Sequence, residues 1–244
     1  MSKKNTPTNN FEEVDYGYLI TQIDIDEEFE FSCHKCGNCC TERDDVILSP
    51  HDIYKASKEL KITPFEFTEK YCAAFISPTT KLLRIYINSQ LDSKDCPFLS
   101  DKQICKLSKS KPASCALFPI GRFLISPDEA NPEIKEISYV LTHTNCGMSH
   151  TYTVREWLET ADIPADDPTF IAWFKTTTVL SEILKTYEKE LKQNNIWELF
   201  MQTFLSIYVQ YDTDKEFMPQ FLIHSTKLLK LAHDIQAYLL EQNR

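Results

Sequence analysis

The stretch Cys33-His34-Lys35-Cys36-Gly37-Asn38-Cys39-Cys40 has the spacing C-x2-C-x2-C-C. Two cysteines separated by two residues can turn both sulfur atoms toward one metal ion, because the turn between them directs backbone amides at the sulfurs. Gly37 directly follows Cys36 and suits the positive φ that such a turn often needs. This stretch therefore predicts a fold organised around sulfur ligands.

The remaining cysteines continue the pattern further along the chain. All nine cysteines lie between Cys33 and Cys146, and the sequence after Cys146 has none. Five more follow the first stretch: Cys72, Cys96 (followed by Pro97), Cys105, Cys115 and Cys146 (followed by Gly147). Cys72 stands alone on a predicted helix, and we interpret it as a small buried hydrophobic residue.

Composition excludes several classes of protein. A net charge of -10 and a pI near 5.1 argue against a nucleic-acid-binding protein, which needs a basic face. No stretch approaches 18 uninterrupted apolar residues, so we expect no membrane span. The two N-terminal lysines are not followed by an apolar segment, so we expect no secretory signal. The predicted location is a reducing cytoplasm, where thiols stay free or bind metal.

The pattern of apolar residues predicts an α+β fold in three parts. Residues 1–20 read as a disordered polar tail. Residues 21–150 form an irregular cysteine-rich metal-binding region with short strands and helices, and residues 151–244 form a C-terminal helical bundle packed on it. Helices are predicted to begin after Ser49 and Thr63, each followed by proline. The predicted strands span 46–48, 82–87, 122–125 and 134–141, and the long helices span 166–191, 196–211 and 217–240.

Three chemical interpretations of the cysteines remain open. Disulfides need an oxidising compartment, and an odd number of cysteines leaves one thiol unpaired. Reactive redox thiols are a second interpretation, although the βαβ context of a thioredoxin is missing. Binding of a metal ion or cluster is favoured, because several spaced cysteines follow one another in order. The C-x2-C-x2-C run is similar to that of bacterial ferredoxins, in which a remote Cys-Pro completes the ligand set, and Cys96-Pro97 could play that part.

These blocks together resemble the CxxCxxCC (YkgJ-like) cysteine-cluster family, described as a zinc- or iron-chelating domain. The resemblance covers residues 30–160 and implies a metal site. The residues that it identifies as metal ligands are Cys33, Cys36, Cys39, Cys40, Cys96, Cys105, Cys115 and Cys146. Eight thiolates could form two four-sulfur sites or one site with a sharing arrangement. Lys111 and Ala116 stand where the family usually has arginine, which weakens any role for an arginine in reading an anionic substrate.

Charged and imidazole side chains near these cysteines have two possible roles. Lys102, Lys106, Lys109 and Lys111 could offset the negative charge of a thiolate site or could form an ordinary solvated face. His34, His143 and His150 could supply a nitrogen ligand or a hydrogen bond to a ligand. With enough sulfur available, we interpret the three histidines as surface residues.

Three functions follow from the sequence. The favoured one is a metal-chelating protein with an iron–sulfur cluster, preferred over Zn²⁺, in a redox or structural role. The second is an enzyme, because the cysteine region resembles flagellin lysine N-methylases, which implies methyl transfer to a protein lysine. However, the chain has no Gly-rich loop after a strand to bind the methyl donor. The third is a zinc-stabilised module through which the helical half binds an unidentified protein partner.

Overall fold

The computed structural model describes residues 20–34, 36–41, 46–89, 95–125, 136–144, 146–193 and 196–242. These residues contain eight strands and eight α-helices. The strands are β1 (Ile20–Ile23), β2 (Glu28–Ser32), β3 (Ile47–Leu48), β4 (Cys72–Ile76), β5 (Leu83–Ile87), β6 (Ile120–Ile125), β7 (Glu136–Thr142) and β8 (Gly147–Thr153). The helices are α1 (Pro50–Leu60), α2 (Pro64–Tyr71), α3 (Ala113–Leu117), α4 (Val154–Thr160), α5 (Pro168–Thr186), α6 (Glu188–Gln193), α7 (Ile196–Val209) and α8 (Phe217–Gln242).

All strand pairing is antiparallel and forms three small sheets within the described residues. One sheet has the order β1-β7-β6, a second has the order β3-β5-β4, and β2 pairs with β8. The α+β class predicted from the sequence is confirmed, with the long helices concentrated after residue 154.

The predicted helix starts after Ser49 and Thr63 are both observed. Each side chain accepts a hydrogen bond from the backbone N–H three residues on, while the acid at that position, Asp52 or Glu66, accepts from the cap residue's own N–H. This reciprocal capping satisfies donors that a helix start leaves unpaired, and the prolines that follow need no such partner. Thr153 caps α4 in the same way.

Two hydrophobic cores organise the described residues. The first core joins the β3-β5-β4 sheet, α1 and α2 to the C-terminal helices, with Ile53, Phe67, Tyr208 and Phe221 among its most buried members. The second core lies between β1, β2, β6, β7, α3 and α4 and is built on residues such as Phe31. The C-terminal helices therefore share one core with residues 46–107. The boundary predicted at residue 150 stays a prediction.

Three predicted details of secondary structure differ from the structure. Cys72 begins β4 instead of lying on a helix, because its pairing opposite Ile87 overrides local helical preference. The predicted 166–191 helix is interrupted at Tyr187, which together with Leu191 packs into the first core. Strand β8 was not expected, because its polar sequence lacks a buried alternating face. The predicted tail, apart from Ile20, and the first two residues of the predicted strand 134–141 lie outside the described residues.

A buried ion pair joins the two cores. Nη1 of Arg122 on β6 lies 2.9 Å from Oδ2 of Asp167, and the two side chains are only 9% and 12% exposed. Asp167 also caps α5 by accepting from the backbone N–H groups of Thr169 and Phe170. The Arg122 guanidinium lies 4.2 Å from the ring centre of Phe170. This contact fixes the start of α5, a helix of the first core, against the β1-β7-β6 sheet of the second.

No helix among the described residues combines the length and the apolar character needed to cross a membrane.

We predict that Asp167→Ala lowers the free energy of unfolding by about 3–5 kcal/mol, because it removes the α5 cap and leaves the Arg122 charge buried without a partner. Urea denaturation followed by circular dichroism measures this loss. The matched control is Asp166→Ala, because Asp166 is exposed and its loss should change stability by no more than about 0.5 kcal/mol. Equal effects of the two substitutions would contradict the assignment.

Candidate metal centre

The end of the first cysteine stretch is a tight turn. Gly37 adopts φ +77°, the left-handed conformation expected after Cys36, and begins a 3-10 turn over Asn38–Cys40. The backbone N–H of Cys40 donates to the carbonyl of Gly37 at 2.7 Å. The Sγ atoms of Cys39 and Cys40 lie 4.0 Å apart. The turn thus presents two neighbouring thiols at one place.

Backbone hydrogen bonds bring Cys96 and Cys105 to this turn. The N–H of Cys96 donates to the carbonyl of Cys40 at 2.8 Å, and Thr41 forms a β-bridge with Asp95. Leu99 and Cys105 form a second bridge, which folds the loop after Cys96 back on itself. Both cysteines are half-buried and pack against the first core.

Two acidic residues of α1 hold the segment that carries Cys115. The carboxylate of Asp52, only 4% exposed, accepts a hydrogen bond at 2.9 Å from the N–H of Ala113, the first residue of α3. The same carboxylate accepts from the N–H and hydroxyl of Ser49. Two helical turns further on, Glu59 accepts a hydrogen bond from the buried hydroxyl of Ser110. Helix α1 is therefore the support on which Cys115 sits.

Two cysteines, Cys40 and Cys105, lie within reach of the charges of neighbouring cysteines. The pKa of Cys40 is raised well above its ordinary value, first by its hydrogen bond with Cys39 and then by burial. The negative charges of Cys39, Cys96 and Cys115 raise this pKa further. Burial is also the main cause that raises the pKa of Cys105, and the charge of Cys39 adds to it. We call this set the five-cysteine group: Cys39, Cys40, Cys96, Cys105 and Cys115.

The chemistry of this group suits a metal centre. Thiolates crowded in a half-buried place disfavour one another's negative charge, and a bound cation removes that penalty by pairing with all of them. Within the described residues, no three histidine, cysteine or acidic side chains already form a group that could hold an ion. Binding therefore requires rotation of cysteine side chains toward a common point.

The other predicted ligands are placed differently. Cys33 is exposed and directly follows β2, whereas Cys146 is half-buried, directly precedes β8 and packs against the second core. Cys36 is exposed, and the next residue, Gly37, lies so close to the Gln103 side chain that an added Cβ would clash with its Oε1. The structure thus brings five of the eight predicted ligands together and places Cys33 and Cys146 on another element pair.

The lysines and histidines are all at the surface. Lys102, Lys106, Lys109 and Lys111 are exposed, and the charge of Lys111 contributes to lowering the pKa of Cys105 against the effect of burial. His34, His143 and His150 are exposed as well. His143 Nε2 lies 3.1 Å from the hydroxyl of Thr21, and His150 Nδ1 lies 3.0 Å from the hydroxyl of Ser149.

Asp52 and Glu59, which support this segment from α1, were not predicted as site residues. Asp52 is visible there only as the third residue after Ser49, a spacing that indicates a helix cap. Its contact with Ala113 joins positions 61 residues apart. A spacing pattern that covers four residues carries no information on such a distant contact.

We predict that Asp52→Ala lowers the free energy of unfolding by about 1–3 kcal/mol, because buried N–H and hydroxyl donors lose their acceptor. Chemical denaturation of the metal-free protein measures the loss. Lys55→Ala is the matched control, since Lys55 Nζ lies 3.9 Å from Asp52 and this part-exposed contact is worth about 0–1 kcal/mol. A loss for Asp52→Ala no larger than for Lys55→Ala would contradict the supporting role.

Cys72 should react more slowly than exposed Cys33 in the native, metal-free protein. Burial against the first core raises its pKa to about 12, so its reactive thiolate is scarce near neutral pH and grows only as the pH approaches that value. Alkylation with iodoacetamide, read by peptide mass spectrometry, should label exposed Cys33 first. In denaturant the two rates should converge. Equally fast native labelling would contradict the burial of Cys72.

Comparison with known proteins agrees with the chemistry of this site. Residues 32–146, just under half of the chain, match the CxxCxxCC family, described as "Putative zinc- or iron-chelating domain". The match begins one residue before Cys33 and ends at Cys146. No curated protein matches the chain, and no solved structure matches it. Over residues 32–146 the chain is therefore similar to the CxxCxxCC zinc- or iron-chelating family.

Proposed function

We propose that this protein chelates metal through the five-cysteine group and that the group holds an iron–sulfur cluster. The observation that carries the proposal is the convergence of five thiols from three separate parts of the chain, at Cys39–Cys40, Cys96–Cys105 and Cys115. Convergence of this kind is costly for thiolates alone, and a bound metal offsets the cost.

The donor set supports iron–sulfur over zinc. Every side chain of the group offers sulfur, and cysteine thiolates are the ordinary ligands of iron–sulfur clusters. Five thiols exceed by one the four that a cluster or a closed zinc site needs. Three of the five pack against the first core, which limits the access of water and permits a stable redox centre. The cluster would supply one-electron chemistry, and the protein would set its potential through burial and nearby charge.

Two charged side chains near Cys105 would act on such a centre. Lys111 lies close enough to Cys105 to favour its thiolate, whereas Glu59, held by Ser110, acts in the opposite direction. A four-sulfur site carries net negative charge, so the lysine would stabilise the loaded form. The proposal therefore includes a redox role in which Lys111 raises the reduction potential of the cluster.

Anaerobic purification followed by elemental analysis and visible spectroscopy tests the proposal. The expected result is bound iron and sulfide with broad visible absorption that bleaches reversibly on reduction. Cys96→Ser should lose the iron and the absorption, because it removes a thiol that lies in the group and is fixed by the hydrogen bond to Cys40. Cys72→Ser is the matched control and should retain both, since Cys72 lies on β4 outside the group.

Two outcomes would overturn the iron–sulfur assignment. A colourless wild-type protein with stoichiometric zinc would replace the cluster by a zinc centre at the same thiols. A protein in which Cys96→Ser and Cys72→Ser retain equal amounts of metal would show that the five-cysteine group is not the binding site.

A further inference from the structure

Strand β4 forms one edge of the β3-β5-β4 sheet. It pairs with β5 along its whole length in an unbroken register, and no other strand in the described ranges pairs with it. Its sequence, Cys72-Ala73-Ala74-Phe75-Ile76, contains no charged residue and no proline. Proteins usually protect an edge strand with lysine, proline or a bulge, because an open edge can pair with another chain. This edge has none of these three protections.

Hydrogen bonds at the two ends of β4 show which of its backbone groups face β5. The carbonyl of Tyr71 accepts from the N–H of Asn88 at 2.9 Å, and the N–H of Ser77 donates to the carbonyl of Leu82 at 2.9 Å. In an antiparallel pair, residues bonded to the neighbouring strand alternate with residues whose N–H and C=O point the other way. The odd-numbered residues of this segment therefore face β5, and the even-numbered residues face the open edge.

Ala74 and Ile76 carry open backbone groups at this edge. The N–H of Cys72, the first even-numbered residue, is already used, because it donates to the carbonyl of Thr68 at the end of α2. The N–H and C=O groups of Ala74 and Ile76, and the C=O of Cys72, have no hydrogen-bond partner among the residues that the structure describes. Each of these groups is a donor or acceptor with which a further strand can pair.

The side chains of the same segment are exposed on both faces of the sheet. Ala74, Phe75 and Ile76 are all exposed, although successive residues of a strand point to opposite faces. Phe75 and Ile76 are 41% and 39% exposed, and the Phe75 ring lies against Tyr86 of β5, with 5.8 Å between the ring centres. One exposed apolar side chain is ordinary, whereas a row of them beside open backbone groups marks an interaction surface.

We propose that two copies of this chain associate through antiparallel pairing of their β4 strands, with Ala74 opposite Ala74 of the second copy. The two three-stranded sheets would then form one continuous sheet with the order β3-β5-β4-β4-β5-β3. Ala74 would exchange both backbone bonds with its counterpart, and the N–H of Ile76 would donate to the Cys72 carbonyl of the second copy. Every open backbone group of the edge except the carbonyl of Ile76 would gain a partner.

A second copy fits this edge because the strand is complementary to itself. In a pair centred on Ala74, Phe75 lies opposite the small Ala73 of the second copy, and Ile76 lies opposite its smaller Cys72. Directly opposite side chains stabilise an antiparallel pair, whereas like charges in opposite positions destabilise it. The lack of charge in β4 therefore favours pairing with itself. Two such short strands bury little area, so the association should be weak and dependent on concentration.

The interface is separate from the five-cysteine group. Cys72 is the cysteine of β4, and it lies outside that group. The proposal therefore goes beyond the metal-chelating function and holds whichever metal the protein binds.

Sedimentation velocity of the full chain over a range of protein concentrations tests the interface, with a thiol reductant present to exclude disulfide-linked pairs. The wild type should shift from the mass of one chain toward twice that mass as its concentration rises. Ala74→Lys and Ala74→Glu should each raise the dimer dissociation constant by about tenfold or more, because like charges would meet at the centre of the pair. An equimolar mixture of the two variants should associate again, since lysine then faces glutamate.

Leu222→Lys is the matched control, because Leu222 is an apolar residue that is 51% exposed on α8 and is not part of β4. It should leave the dissociation constant unchanged. Ala74 is exposed, so its substitution should leave both cores intact. An unaltered denaturation curve, recorded on dilute monomeric protein, shows that each variant has folded.

Amide hydrogen exchange locates the contact within the chain. In concentrated wild-type protein the N–H groups of Ala74 and Ile76 should exchange more slowly than in dilute protein, because they become bonded to the second copy. Those of Ala73 and Phe75 should change little, since they face β5 in either state. Ala74→Lys should abolish the dependence on concentration.

A wild type that keeps the mass of one chain at the highest concentration reached would overturn the proposal. The same holds for a dimer that Ala74→Lys and Ala74→Glu leave unchanged, or that Leu222→Lys weakens as much as they do. If the mixed variants fail to associate, the pairing centred on Ala74 is wrong. None of these results depends on bound metal, so they are distinguishable from failure of the metal-chelating proposal.

Discussion

The electrostatic cost of placing several thiolates side by side is the constraint that any metal site on these cysteines must meet. Chain segments that carry cysteines gain nothing from approaching one another unless other contacts hold them, because each thiolate disfavours the next. Here the backbone bond from Cys96 to Cys40 and the Asp52 carboxylate beneath α3 supply those contacts. In this arrangement the pKa of Cys40 is raised, first by its hydrogen bond with Cys39, so the neutral thiol is favoured there. In the proposed function, a metal would bind where the backbone contacts have brought these segments together, after the cysteine side chains have rotated toward it.

The support for this group comes from ordinary helix chemistry. Asp52 completes the cap of α1 and uses its remaining oxygen to hold α3, so one buried carboxylate serves both a helix start and a cysteine-bearing turn. The long C-terminal helices contribute indirectly, since they complete the core against which Cys96 and Cys105 pack. These helices carry no cysteine, yet they share one core with the cysteine-bearing segment over residues 46–107.

Local structure was predicted correctly where it depends on residues close together in the sequence, and wrongly where it depends on contacts between distant residues. Helix starts at Ser49 and Thr63 were predicted correctly, because a capping box is contained in four residues. The left-handed conformation of Gly37 was predicted for the same reason. Cys72 was placed on a helix wrongly, because its strand exists only through pairing with β5. Spacing alone also treated Cys33 and Cys39 as one run, whereas the chain leads Cys33 toward β8 and Cys39 toward Cys96.

The sequence by itself determined the α+β class and the similarity to a zinc- or iron-chelating family, and it predicted the cysteines from which a sulfur site would be drawn. These properties follow from residue identity and short-range spacing. Only the tertiary structure decided which cysteines meet, because the pairing of β2 with β8 and the contact of Asp52 with Ala113 join residues that are distant in the chain. Grouping of ligands is a property of such long-range contacts, and the free energy that holds them comes from two hydrophobic cores that no local pattern of cysteines encodes.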